Sequence, residues 1–166
     1  AQLHLVKDSD KVIAALKDFR PRYVVNFAAQ GEVRTSFDHP IEHFETNTLA
    51  MVKLTTALQK MEGLKRYLHI STPEVYGSAA DGAVREGAVM NPSSPYAASK
   101  GAIDTFTLGL AREVAAEGIR VNGVRPGLID TDIHASGGVP DRIDQLRDTI
   151  PMKREGSAEE VAQAVC

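Results

Sequence analysis

Three short apolar stretches, each bounded by polar or turn residues, stand out along the chain. They are RYVVNFAA (Arg22 to Ala29), KRYLHIS (Lys65 to Ser71) and IRVNGVRP (Ile119 to Pro126). Each is rich in β-branched or aromatic residues and too short for a buried helix, so each predicts a strand. Between them, apolar residues return at helical spacing. Ile41, Phe44, Leu49, Val52, Leu54 and Leu58 predict one long helix, ending at Met61 and Gly63. A second runs from Ser94 through Ile103, Phe106, Leu110 and Val114 to Gly118, a residue suited to a helix C-terminus. A shorter helix over Ser9 to Phe19 precedes the first strand. Asp141 to Thr149 and Ser157 onward predict two more, the last opening on a Ser-x-x-Glu capping box.

Strand and helix alternate, which predicts an α/β fold with a parallel sheet and right-handed crossovers. Such sheets bind ligands beyond the carboxyl ends of their strands. Those ends carry Ala28-Ala29-Gln30, Ser71-Thr72-Pro73-Glu74 and Pro126-Gly127, so one rim gathers the residues of chemical interest. No repeat, low-complexity tract or linker divides the chain, and residues 1–166 read as one domain.

Composition narrows the setting. Hydrophobic residues make up 43% of 166, enough for a sizeable core. A net charge of -3 gives no electrostatic reason to expect nucleic acid or an anionic membrane. No apolar run approaches the roughly 18 residues of a membrane span, and AQLHLVKDSD is not a secretion signal. The one cysteine, Cys166, forms no intrachain disulfide and fits a reducing compartment. A soluble, cytoplasmic protein is expected.

The candidate chemistry centres on NPSSPYAASKGAID. Ser94 suits a helix N-cap and Pro95 the first position, so Tyr96 and Lys100 project one turn apart from one face. A tyrosine hydroxyl titrates near pH 10, and a neighbouring ammonium favours its phenolate. The pair is either an acid–base device or a surface tyrosine beside a solvated lysine. Thr72, at a strand end, is placed to bond a substrate oxygen as it gains charge. Asn47 is an odd choice for a helix interior, and is either a holder of water or backbone near the site or a solvent-facing amide. PGLIDT, Pro126 to Thr131, is either a ligand-binding loop or an ordinary strand-to-helix turn.

Tyr96-x-x-x-Lys100, an upstream strand-end hydroxyl and a downstream Pro-Gly loop together resemble the short-chain dehydrogenase/reductase family, over nearly the whole chain. The resemblance implies a Rossmann-like doubly wound parallel sheet and NAD or NADP as cofactor. It implies Tyr96 as the acid–base residue, and Lys100 as the residue that binds the nicotinamide ribose and tunes Tyr96. Thr72 would orient substrate, and Asn47 would support a proton-relay water. Ala28, Ala29, Pro126, Gly127, Ile129 and Thr131 would join Tyr96 and Lys100 in holding cofactor. Family members commonly dimerise through two long helices, here Ile41 to Met61 and Pro95 to Glu117, which implies a homo-oligomer.

Two branches of that family are resembled. NFAAQGEVRTSFDHPIEHFETN and ISTPEVYG are similar to the extended nucleotide-sugar dehydratases and epimerases, up to about Lys100. From YAASKGAIDTF onward the chain is similar to small, single-domain sugar and alcohol dehydrogenases, a change of character that reads as a chimera. Where the dehydratases carry an Asp-Glu pair, this chain has Pro73-Glu74, leaving Glu74 as a candidate acid or base. The family's glycine-rich dinucleotide turn is absent, since Gly77, Gly82 and Gly87 do not form one. In the family's layout the first βαβ unit is missing, AQLHLV remains of the third strand, and the chain stops before the last. The readings that stand are therefore an oxidoreductase for a sugar or nucleotide-sugar-like substrate and a non-catalytic, truncated domain serving as an interaction module.

Smaller signals have simpler readings. His39 and His43 lack a third metal ligand, so no metal site is expected. Asp130 and Asp132 read as solvated or capping, Arg34 as a surface arginine, and Asp8 or Asp10 as a helix cap.

Overall fold

The computed structural model describes residues 3–77 and 84–166; Gly82 lies outside the described residues. Three parallel strands, β1 (Tyr23–Asn26), β2 (Arg66–Ile70) and β3 (Arg120–Val124), form a sheet in the order β1-β2-β3. Tyr23 stands opposite Arg66 and Asn26 opposite His69, while Arg66 to Ile70 pair with Arg120 to Val124. Each strand is shorter than its apolar stretch, although flanking residues still bond across the sheet, Lys65 N–H donating to the Arg22 carbonyl at 2.8 Å and Ser71 N–H to the Val124 carbonyl at 2.7 Å. Central β2 buries Tyr67, Leu68 and His69 in succession, as a strand covered on both faces must.

Helices flank the sheet. α1 (Ser9–Phe19) forms where the pattern predicts, although Asp8 does not cap it by its side chain. The Asp8 carboxylate accepts instead from His4 N–H at 3.1 Å and from Lys11 at 2.8 Å, and Asp10 pairs with Lys53 at 3.0 Å. α2 (Val33–Asp38), six residues long, is too short for periodicity to reveal.

The long helix expected over Ile41 to Met61 is interrupted. α3 (Pro40–Phe44) passes into a wide π-type turn, Glu45–Leu49, and then into α4 (Ala50–Leu58). A π turn accommodates one extra residue and is found at functional positions; Asn47 occupies it.

α5 (Pro95–Glu113) begins as its cap residues dictate, with Ser94 Oγ accepting from Ala97 N–H at 3.1 Å. It ends four residues before the predicted Glu117; a 3₁₀ turn, Ala115–Glu117, follows and closes on Gly118 at φ 72. α6 (Ile133–Ser136), unforeseen, α7 (Arg142–Leu146) with its 3₁₀ continuation, and α8 (Ala158–Val165) complete the set. The Ser157–Glu160 capping box at the start of α8 is present on both sides.

Met51, Leu54 and Leu58 of α4, Ile103 and Leu110 of α5, and Tyr67 and Val121 of the sheet form the core. Among the described residues, no helix is long and apolar enough to cross a membrane.

Candidate active site

The site lies where β2 ends against the start of α5. Thr72 leaves β2 in extended conformation and accepts Glu74 N–H at 3.3 Å, opening a 3₁₀ turn over Pro73–Tyr76. The apolar pattern does not announce this turn; Pro73 at its first position and Thr72 as its cap are its local causes. Gly77 closes it at φ 70, where a side chain would run into the Asn91 carbonyl. Thr72, Tyr96 and Lys100 are all buried, at 8%, 9% and 3% exposure, so neither hydroxyl nor ammonium is a free surface group.

Burial holds the Tyr96 phenol above its ordinary value; the Thr72 hydroxyl beside it works in the opposite direction, and the Glu74 carboxylate adds to the rise. Burial also pulls Lys100 down to about 8, against the attraction of Asp104. Lys100 Nζ donates to the Ile70 carbonyl at 2.8 Å. The ammonium is therefore anchored to the end of β2, and the phenol is not drawn below its usual range as the Tyr-Lys spacing suggests. Loss of solvent outweighs the spacing. Glu74, half-buried, is also raised by burial, with Arg142 of α7 acting against the shift.

Asn47 is wholly buried and has found backbone rather than solvent. Its Oδ1 accepts Gln30 N–H at 2.8 Å, and its Nδ2 donates to the Gln30 carbonyl at 2.9 Å and to Ser99 Oγ at 3.1 Å. Ser99 in turn donates to the Tyr96 carbonyl at 2.7 Å. Asn47 thus fastens the loop after β1 to the helix turn that carries Tyr96.

The residues expected around a cofactor line the rim less tightly. Ala28 and Ala29 are exposed just beyond β1, and Ala28 N–H is held by Asn26 Oδ1 at 3.2 Å. Pro126 is half-buried and Gly127 exposed. Ile129 forms an isolated parallel bridge with Gly156, and its carbonyl meets His134 Nε2 at 2.9 Å. Thr131, Asp130 and Asp132 face solvent, as does Arg34. His43 turns both ring nitrogens to backbone carbonyls, of His39 and Glu32, and lies edge-on to Tyr96 with ring centroids 6.4 Å apart. Among the described residues no three His, Cys, Asp or Glu side chains are grouped to hold a metal ion.

Sequence reasoning overlooked a second polar group beneath the first. Ser71 Oγ donates to Asp104 Oδ2 at 2.8 Å, Arg125 Nε donates to the same oxygen at 2.7 Å, and Arg125 also donates to Tyr76 Oη at 2.9 Å. One signal was available: Asp104 follows Lys100 by four, as Lys100 follows Tyr96, so the three share a helix face.

Residues 3–120 match the family described as GDP-mannose 4,6 dehydratase. The chain belongs to that family, within the short-chain dehydrogenase/reductases. An uncharacterised oxidoreductase of Escherichia coli K12, YgfF, is 58% identical over 91 residues, 48% of this chain and 37% of YgfF. A probable dTDP-glucose 4,6-dehydratase of Sinorhizobium fredii NGR234 is 37% identical over 107 residues, 59% of this chain and 31% of the relative.

The UDP-glucose 4-epimerase of Thermus thermophilus, solved with NAD, superposes with a TM-score of 0.67 at 30% identity. That match covers 77% of this chain and 40% of the epimerase. This short-chain dehydrogenase/reductase chain thus spans between 31% and 40% of the length of these three relatives. Its fold is that of NAD(P)-binding oxidoreductases and epimerases.

Proposed function

We propose that the Thr72, Tyr96 and Lys100 site is of the NAD(P)-dependent oxidoreductase type, acting on a hydroxyl or carbonyl of a sugar or nucleotide-sugar-like substrate. The observation that carries this reading is the burial of a phenol, a hydroxyl and an ammonium together at the carboxyl end of the central strand. The names of the relatives support the substrate class: one is a probable sugar-nucleotide dehydratase and one a sugar-nucleotide epimerase.

The raised pKa keeps Tyr96 in its phenol form at neutral pH, so the resting site holds the proton that reduction of a carbonyl requires, although burial alone makes it a weaker acid. Thr72 would bond the same carbonyl oxygen as it gains charge. Oxidation runs in reverse and needs the phenolate, which further positive charge beside Tyr96 would favour. Glu74, whose pKa burial raises, is the second acid–base group at hand.

The residues fit one half of a nicotinamide dinucleotide. An ammonium carries three donors, and Lys100 gives one to Ile70, leaving two for the ribose hydroxyls. Ala28, Ala29, Pro126, Gly127, Ile129 and Thr131 would bound the nicotinamide side. When bound, the dinucleotide supplies or accepts the hydride. No glycine-rich turn in this sequence provides for the pyrophosphate.

Titration of the purified chain with NADH and NADPH, with Lys100→Ala as control, tests the reading. Micromolar binding that weakens in the variant supports it, and Tyr96→Phe should then abolish turnover of sugar alcohols or their carbonyl forms. Absence of binding at millimolar dinucleotide ends it.

A second reading, an interaction module, is favoured by apolar side chains left at the surface. Phe37, Ile41, Leu49 and Leu108 are each about 60% exposed or more, on α2, α3, the π turn and α5. Self-association through these helices is compatible with both readings.

A further inference from the structure

Asp104 sits one turn beyond Lys100 on α5, with its side chain only 1% exposed. One oxygen, Oδ2, takes both the Ser71 hydroxyl and Arg125 Nε; the other, Oδ1, is buried with no hydrogen-bond partner. Arg125 continues past it, donating to Tyr76 Oη and lying 5.3 Å from that ring's centroid. Ser71 directly precedes Thr72, Arg125 directly precedes Pro126-Gly127, and Tyr76 is the last residue of the turn that carries Glu74.

We propose that Asp104 is the positioning residue of this site, the buried junction that sets the Thr72 strand end, the Pro126-Gly127 loop and the Glu74 turn against the helix of Tyr96 and Lys100. Its catalytic meaning rests on the functional reading above; its geometry does not.

An isolated buried ion pair would be poor evidence of anything but packing, since apolar residues of the same volume stabilise a core as well. Three features here go beyond packing. The carboxylate bonds are charge-assisted and short, so they fix direction as well as distance. Each chain of contacts ends beside a different part of the site. The same charge also faces Lys100, whose proton it helps retain. His69 of β2 and Tyr96 one turn back on α5 are also near that ammonium; burial keeps the imidazole unprotonated and the phenol protonated, so neither offers a competing charge.

The junction also ties Ser71 and Tyr76, from the part resembling nucleotide-sugar enzymes, to Asp104 and Arg125, from the part resembling small dehydrogenases. A site assembled from two such parts needs a contact of this kind to bring Glu74 and Lys100 into one frame.

The test is NMR of the full chain with ¹³C-labelled lysine and uniform ¹⁵N. In Asp104→Asn, the Lys100 side-chain midpoint should fall by at least one pH unit, a tenfold loss of proton affinity. Asp104→Glu should restore half or more of that loss. Tyr76→Phe keeps the ring under Arg125 but removes the hydroxyl. It should move the amide signals of both Glu74 and Gly127, which lie on separate loops.

A Lys100 midpoint unchanged in Asp104→Asn overturns the proposal, as do Tyr76→Phe shifts confined to Pro73–Gly77. Where Asp104→Asn fails to fold, the Tyr76→Phe pattern decides alone. Dinucleotide binding by the wild type is measured separately, so loss of the functional reading leaves this result intact.

Discussion

Asn47 answers both backbone groups of Gln30, accepting the N–H at 2.8 Å and donating to the carbonyl at 2.9 Å. A side-chain amide here takes the place of a neighbouring strand for a residue that has left the sheet. The π turn makes this possible by rotating Asn47 inward from a helix whose interior disfavours asparagine.

Asn47→Ala should therefore leave the part-buried N–H and carbonyl of Gln30 without this partner, while Ser99 Oγ loses a donor but keeps its bond to the Tyr96 carbonyl. Unsatisfied buried groups cost about 1–3 kcal/mol each, and relaxation will recover part of that. A net loss of about 2–4 kcal/mol is expected in urea unfolding, together with faster amide exchange at Gln30. A loss below about 1 kcal/mol would mean water replaces the amide without penalty.

His69 sets a pH dependence. Burial lowers its pKa from 6.5 to about 3, with Lys100 adding to the shift. The unfolded chain therefore binds a proton that the folded one refuses between pH 6.5 and 3, and stability falls as pH drops through that window. The slope from this one group is about 1.4 kcal/mol per pH unit at most. His69→Gln should flatten the acid limb of the stability profile relative to wild type; superimposable limbs would contradict the assignment.

Lys100 acts at the other end of the scale. Its pKa of about 8 lies below the free value of 10.5, so between those limits the unfolded state again holds the extra proton. Stability from this group rises with pH across that range, by up to about 3 kcal/mol. Lys100→Met should show no such rise, and chemical denaturation at about pH 7.5, 8.5 and 9.5 distinguishes the two chains.

Gly77→Ala should be costly for a backbone reason. A positive φ disfavours any Cβ, and this one would meet the Asn91 carbonyl. A loss of about 2 kcal/mol or more is expected in denaturant unfolding, with the Glu74 amide displaced. Gly118→Ala, at a similar φ but in open space, should cost only about 1 kcal/mol.

Local signals carried much of the fold. Ser94-Pro95 and Ser157-x-x-Glu160 each act within a few residues and mark the helix starts they predict, whereas Gly118 closes the 3₁₀ turn that follows α5 rather than α5 itself. The three strand cores were legible because apolar, β-branched runs have few alternative fates. What stayed hidden depends on groups far apart in the chain. The pairing of Asp104 with Arg125 spans 21 residues and that of Arg125 with Tyr76 spans 49, and nothing local announces either.

The π turn escaped because one extra residue in a helix barely disturbs the apolar spacing, although Asn47 itself looked out of place. Tyr96 shows the limit of spacing arguments: a lysine one turn away predicts an easier proton, whereas burial of both groups decides the direction.

The order β1-β2-β3 has a kinetic consequence. Both sheet contacts involve β2, and each is reached only after a long crossover, residues 27–65 and 71–119. No strand can zip to its neighbour through a hairpin, so every ladder bond waits on loop closure and helix docking. Refolding from denaturant should be slow for a chain of this size. Tyr23 and Val25 of β1, and Phe27 just beyond it, remain exposed even in the finished sheet, so the yield of refolding should fall as protein concentration rises.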